Sequence, residues 1–221
     1  MLTETMINEI INGTIATLYM TIFSTLFSYL FAFPLGIALV ITRKDGLYPL
    51  LGVNKVLDAI VNLGRSIPFI ILIVVVIPIT KLIAGKSYGP TATIVPLVIA
   101  AVPFIARLIE SSLLEVDNGV IEAAQSMGAS IPTIILKVLI PEAKTSLIVG
   151  ATIATGTIIS YSAMAGAVGG GGLGDIAIRY GYIRYQTEVM MVTVILLVII
   201  VQILQIIGMK IATKTDKRIR N

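Results

Sequence analysis

The chain has 221 residues, of which 57% are hydrophobic and only 13% charged, and its mean hydropathy is +1.00; these values exclude an ordinary soluble domain and describe a membrane protein. With no Cys and no His, the chain lacks disulfides, thiolate metal sites, cysteine nucleophiles and the usual general base at neutral pH, so most enzyme chemistry has no side chains to run on. The net charge of +4 does not indicate nucleic acid, because the charges lie between apolar runs instead of forming one basic face.

Crossing a hydrocarbon layer takes about 20 mostly apolar residues in a helix. No Lys, Arg, Asp or Glu occurs between Ile10 and Thr42, which predicts a first span at about 13–41, too long for a cleaved signal peptide. A second span is expected at about 57–84, although Arg65 intrudes and Pro68 and Pro78 interrupt its hydrogen-bond ladder. The third, at about 88–109, contains Pro90, Pro96 and Pro103, which are tolerated only where neighbouring helices re-satisfy the freed carbonyls, so a bundle is implied. The fourth, at about 145–168, is rich in small and hydroxyl residues: Thr152, Thr155, Gly156, Thr157, Ser160, Ser162, Ala163 and Gly166. Such residues line helix interfaces or water-filled surfaces. The fifth, at about 189–209, is dominated by Ile, Val and Leu and runs into Lys210, Lys214, Lys217, Arg218 and Arg220.

These spans predict an all-α integral membrane protein, one domain over 1–221 with about five transmembrane helices. With the amino terminus outside and the carboxyl terminus inside, twelve of the sixteen Lys and Arg residues fall on the cytoplasmic side, leaving only Lys81, Lys86, Arg179 and Arg184 outside. Arg65, near the cytoplasmic end of the second span, is read as a snorkelling side chain. No internal repeat is visible, which disfavours a secondary transporter built from inverted halves.

Between spans three and four lies a patterned cytoplasmic segment at about 117–141. Asp117-Asn118 offers an N-cap, Glu122 is placed in the first turn, and Gly128 supplies a stop. Val120, Ala124 and Met127 share one helical face. Ser130 can cap a second helix, with Pro132 in its first turn and Pro141 ending it before Lys144. By composition alone, the pair could lie on lipid headgroups or project as a docking knob.

Spacing adds a further indication. Glu122-Ala123-Ala124, Gly128, then Val138, Ile140 and Pro141 resemble the EAA-x3-G-x9-I-x-L-P signature of the permease subunits of bacterial ABC importers, with Val138 and Ile140 as conservative departures. Ser160 to Gly166, Gly169-Gly170-Gly171-Gly172-Leu173-Gly174-Asp175 and Arg179-Tyr180-Gly181-Tyr182 are similar to the methionine-importer branch of that family. The resemblance implies a coupling helix that seats Glu122, Ala123, Ala124, Gly128 and Pro141 against a groove of a separate ATPase. It further implies a homodimer in the bacterial cytoplasmic membrane, two cytoplasmic ATPase subunits that bind ATP and Mg, and an extracytoplasmic binding protein that delivers methionine. The chain itself would hold no cofactor or metal and catalyse nothing.

Other motif matches are weak. Gly169-x-Gly171-x-x-Gly174 fits the dinucleotide fingerprint by letters, but no βαβ unit precedes it, and Asp175 stands where a P-loop needs Lys-Ser or Lys-Thr. Gly172-Leu173-Gly174-Asp175 matches an intramembrane aspartyl protease element, yet no other span supplies the second carboxylate such chemistry requires. The glycine run then reads either as a plain loop or as a flexible, close-packed turn at the outer mouth, where glycines let the backbones of two subunits approach and move, with Gly169, Gly170 and Gly171 at the pathway. Ser160, Met164 and Gly166 are the matching candidates on span four, Met164 as an apolar gate, although a purely structural Ser/Thr face fits equally. The alternative function is a stand-alone channel or secondary transporter, for which neither charged rings nor ordered carbonyl loops are visible.

The orientation is tested by single cysteines in this Cys-free chain. Ser87→Cys and Tyr182→Cys react with an impermeant thiol reagent added to intact cells, whereas Ser130→Cys reacts only in inverted vesicles; the reverse pattern overturns the assignment.

Overall fold

The computed structural model describes residues 4–216, and every regular element among them is helical. Lys217, Arg218 and Arg220 of the basic tail lie outside the described residues. Four helices are long and apolar enough to cross a membrane: α1 (Glu4–Ile41), α5 (Pro90–Leu114), α9 (Lys144–Gly166) and α11 (Thr187–Thr215). They match the first, third, fourth and fifth spans expected from the sequence, with α1 starting earlier and α11 running further than expected.

The second expected span is not one continuous helix. It is divided into α2 (Leu51–Ser66), α3 (Phe69–Val75) and α4 (Ile77–Ala84), and the axis turns by 103° between α2 and α3. The cause is local: Ile67 is extended at φ −85° and ψ 121°, the conformation that proline favours in the residue before it, and Pro68 cannot donate to the ladder. A second break falls at Val76, just ahead of Pro78. Counting the bent pair as one span gives five.

The long axis of the bundle is the contact between α1 and α5, flanked by α9, with α11 packed on α9. In α1, the buried positions Gly13, Thr17, Met20, Ser24, Ser28, Ala32, Gly36 and Leu39 recur every three or four residues and form one face. Most are small, as expected where lipid offers no hydrophobic drive and helices associate by close backbone approach. A methyl group at Gly36 would lie 2.9 Å from the Ala106 carbonyl oxygen on α5, so only glycine allows this crossing. On the opposite flank, α11 fully buries only Val189, Thr193 and Ala212, packs one side through Val192, Leu196, Leu197 and Ile200, and leaves the rest of its surface open, consistent with a helix facing lipid.

Two arginines of the bundle, Arg107 and Arg179, are paired with carboxylates. Arg107 on α5 bonds Asp58 and Glu110 at 2.6 Å each and Asn62 at 2.9 Å, which ties α2 to α5 across the bend. An unpaired cation at a helix centre costs about 2.5–3.5 kcal/mol; two carboxylates and an amide remove that objection here.

Candidate functional site

Two regions of the bundle hold the residues selected from sequence. The first is the segment that follows α5. Here α6 (Asn118–Ser126) begins at Asp117, whose carboxylate accepts the Gly119 N–H at 2.7 Å, the expected N-cap bond. It ends in a Schellman motif, in which Gly128 at φ +76° donates to Gln125 and Ala129 donates to Ala124. Gly128 therefore occupies a left-handed position that a side chain resists.

Because α6 starts at Asn118, Glu122 lies beyond the first turn, contrary to expectation, and is exposed. The predicted face is also rotated. Ala124 is buried and Ile121 packs beside it, but Val120 is 43% and Met127 81% exposed. Glu122, Ala123, Met127 and Gly128 together make an outward surface, while Ala124 anchors α6 in the main core with Ile134, Leu139 and Ile109.

The following stretch departs from the sequence reading as well. Ser130 stands at the N-cap of α7 (Ile131–Ile134), but its hydroxyl pairs with that of Thr133 at 2.9 Å instead of capping a backbone N–H. Pro141 does not end the helix. A π-helical turn at Ile135–Leu139 leads into α8 (Ile140–Glu142), and Ala143 and Leu147 keep donating back along the chain into α9. The wide turn separates the proline ring from the carbonyl four residues earlier, where a tight α-turn would clash. The exposed Pro141 thus sits within the run of helical turns, interrupted only by a turn at Ala143, that joins the α6–α7 knob to α9.

The second region is the far end of α9. After Gly166 the chain turns through Gly169, Gly170 and Gly171 into α10 (Gly172–Ile176), followed by a π-helical turn at Ala177–Tyr182. A methyl group at Gly166 would collide with the backbone of Gly174 and Asp175, and one at Gly174 with the backbone of Ala163. Two backbones touch here, and each contact needs a residue without a side chain. The turn is pinned further by the Leu173 N–H donating to Thr17 Oγ1 at 2.9 Å, by Thr93 Oγ1 donating to the Gly170 carbonyl at 3.3 Å, and by the Gly89 N–H donating to the Gly169 carbonyl at 2.9 Å. Gly171 lies against Pro90. All of these glycine contacts are within one chain, to α1, α5 and α9.

The hydroxyl residues of α9 divide between two faces. Ser162 is fully buried and Thr152 packs against Gly208 on α11. Ile153, Thr157, Ser160, Met164 and Val168, spaced by three and four residues, form one largely open stripe. Met164 is 49% exposed on that stripe, while Gly166 faces inward. The Thr157 and Ser160 hydroxyls donate to the carbonyls of Ile153 and Gly156, so their donors are satisfied by their own helix. The open stripe therefore offers weak acceptors and apolar surface, with no strong binding group.

Sequence reasoning missed the charge cluster beyond α10. Arg179 bonds Asp175 at 2.9 Å and Glu9 at 3.2 Å, and Tyr180 is flanked by the guanidinium groups of Arg179 and Arg184 at 4.8 and 4.6 Å. Burial works against charge on Arg179, but Asp175, Tyr180 and Glu9 outweigh it and hold the group more firmly protonated than usual. The i, i+4 spacing of Asp175 and Arg179 was the available signal. Among the described residues, no group of three potential metal ligands occurs.

Residues 46–221 match the family of binding-protein-dependent transport system inner membrane components. The chain belongs to that family. The stand-alone channel and secondary transporter are thereby set aside. The chain is similar, at 52% identity over 95% of its length and 93% of the relative's, to the "Probable D-methionine transport system permease protein MetI" of Vibrio cholerae. It is 50% identical over 96% of both chains to the methionine import system permease protein MetP of Bacillus subtilis. Among solved structures, a chain from inward-facing conformations of the MetNI methionine ABC transporter superposes with a TM-score of 0.96 at 45% identity, covering 97% of this chain and all of that one. A chain of an amino acid ABC transporter, at 18% identity and a TM-score of 0.73, shares the fold.

The packing makes a contrast that thermal unfolding of the purified permease can measure. Gly166→Ala drives a methyl group into backbone and costs about 1–3 kcal/mol, a clear loss of melting temperature. Met164→Ala, on the open stripe, stays within about 0.5 kcal/mol of the parent. Equal stability of the two variants contradicts the glycine contact.

Proposed function

We propose that this chain is the membrane-spanning half of an ATP-driven methionine importer, working as a homodimer with two ATPase subunits and an extracytoplasmic binding protein. The observation that carries the reading is similarity over nearly the whole length to methionine permeases, at 52% and 50% identity. The substrate and the assembly come from those relatives, and the geometry supports the roles within it.

With the amino terminus outside, the α6–α7 knob lies in the cytoplasm with Arg43, Lys44 and the basic end of α11, as the distribution of positive charge favours. Glu122, Ala123 and Gly128 present the surface that an ATPase groove would hold, with small residues permitting close approach. Ala124 roots that surface in the core, and Pro141 lies on the continuous path from the knob to α9. ATP and Mg belong to the partner subunits. Closure and opening of the ATPase pair would tilt the knob and, through the helix that contains Pro141, swing α9.

The open stripe with Ser160 and Met164 is the part of α9 proposed to face the second copy across the pathway, because a single chain leaves it uncovered and a two-fold pair brings each stripe to its own image. Met164 suits the narrowest point, since a flexible thioether closes a gap without holding a polar solute. Gly166, Gly169, Gly170 and Gly171 act behind that gate as the fixed frame from which it moves.

The coupling role is tested on the complete transporter in proteoliposomes, per molecule inserted. Gly128→Leu forces a branched side chain into a left-handed position and onto the docking surface, and Glu122→Lys reverses an exposed charge on it. Each lowers ATP-driven methionine uptake about tenfold or more, the loss of one good interface contact, while insertion is unchanged. Uptake at the parent's rate by both variants overturns the assignment.

A further inference from the structure

Beyond α10 the chain forms an ionic clasp inside an irregular turn. The π-helical turn at Ala177–Tyr182 has the Ile183 N–H donating to the Ile178 carbonyl at 2.9 Å, a widened geometry common at functional positions. Within it, Arg179 Nη2 donates to Asp175 at 2.9 Å and to Glu9 on α1 at 3.2 Å. The Arg179, Asp175 and Glu9 side chains are 42%, 26% and 45% exposed, so these pairs add little to folding. The glycine contacts and the bond from Leu173 to Thr17 already hold α10 to the bundle.

What the clasp holds is specific. Asp175 follows Gly174, and a methyl group at Gly166 would collide with the Asp175 backbone nitrogen, as one at Gly174 would with the backbone of Ala163. The carboxylate that Arg179 holds therefore belongs to the residue whose backbone abuts α9, two positions from Met164. On its other side, Arg179 lies over the Tyr180 ring at 4.8 Å, and Arg184 lies over the same ring at 4.6 Å. Arg184 precedes Tyr185, which is 87% exposed and has a left-handed φ of +57°. A side chain resists that conformation. It is fixed by the Gln186 N–H on the Tyr180 carbonyl and the Thr187 N–H on the Tyr185 carbonyl, both at 3.1 Å. An exposed loop in a fixed shape is thus joined through Tyr180 and Arg179 to the end of α9.

We infer that Arg179 is a positioning residue for the gate: it sets where Asp175 presses on α9, and it passes to α9 any displacement of the exposed loop at 182–186. The displacement comes from the extracytoplasmic binding protein, so the inference rests on the importer reading above and adds how contact outside reaches the membrane. A clasp of partly exposed pairs suits this role because it shifts at low cost. The close-packed glycine contact behind it transmits the shift without slack.

The test uses the full transporter, with its ATPase, in proteoliposomes supplied with radiolabelled methionine over a range of binding-protein concentrations. Arg179→Gln lowers the maximum uptake rate about fivefold or more, the lower end of coupling between two sites. The half-saturating concentration of binding protein, the insertion and the melting temperature stay at the parent's values. In a Met164→Cys background, Arg179→Gln also changes the rate at which the thiol reacts with an impermeant reagent. Arg179→Lys keeps a cation between the carboxylates but loses the flat contact with Tyr180, and it recovers part of the uptake. If Arg179→Gln transports at the parent's rate, or loses uptake only in step with insertion or melting temperature, the pairs are surface structure and the inference is overturned. If the half-saturating concentration rises while the maximum rate holds, Arg179 belongs to the docking contact itself, which also overturns it. If the parent itself takes up no methionine, the importer reading fails and the inference with it.

Discussion

The structure depends on backbone meeting backbone at the Gly166–Gly174 contact. In lipid, helices gain nothing from hiding apolar surface, so association must come from close approach and from hydrogen bonds that leave no polar group stranded. Both occur here: α9 and α10 touch where neither has a side chain, and the Leu173 N–H exposed by the turn is taken up by Thr17 on α1. The same turn reaches α5 through Gly89 and Thr93. One short glycine-rich segment thus joins the three helices that form the body of the bundle.

That joint gives the two faces of α9 different roles. Its inner face, with Ala154, Ile158, Ser162 and Gly166, is locked to the rest of the chain. Its outer stripe, with Ser160 and Met164, stays about half exposed in the chain, and its hydroxyls are already satisfied by their own helix. A surface that binds weakly, on a helix rigidly held from behind, suits a moving wall more than a docking site. At the other end the knob is built by the same division, with Ala124 inside and Glu122, Ala123 and Gly128 outside.

Much of this was legible in the sequence, because the signals were local. The charge-free runs gave four spans closely, Asp117 and Gly128 marked both ends of α6, and the prolines foretold a bundle. What failed was what depends on tertiary context. The length and apolarity of 57–84 suggested one helix, but Pro68 acts on Ile67 to turn the chain, and the packing of Gly64 against Pro103 and the Arg107–Asp58 pair, which hold α2 to α5, lie too far apart in sequence to be read from it. Pro141 looked like a stop because a π-helical turn that accommodates proline has no sequence signature. The face of α6 was misjudged by one position, Ile121 replacing Val120, since apolar spacing does not say which side the core lies on. The glycine run was legible as close-packed, but nothing in it revealed that its partners are α1, α5 and α9 of the same chain.

The central claim is that this chain is half of a two-fold permease and has no motor of its own. Native mass spectrometry of the protein, affinity-purified from the membranes of its own cells in mild detergent, tests it most directly. The account predicts a complex of two copies of this chain with two copies of one ATPase subunit, which comes apart into permease and ATPase as the detergent is made harsher. A chain that runs as a monomer with no ATPase, and still transports when reconstituted by itself, contradicts it.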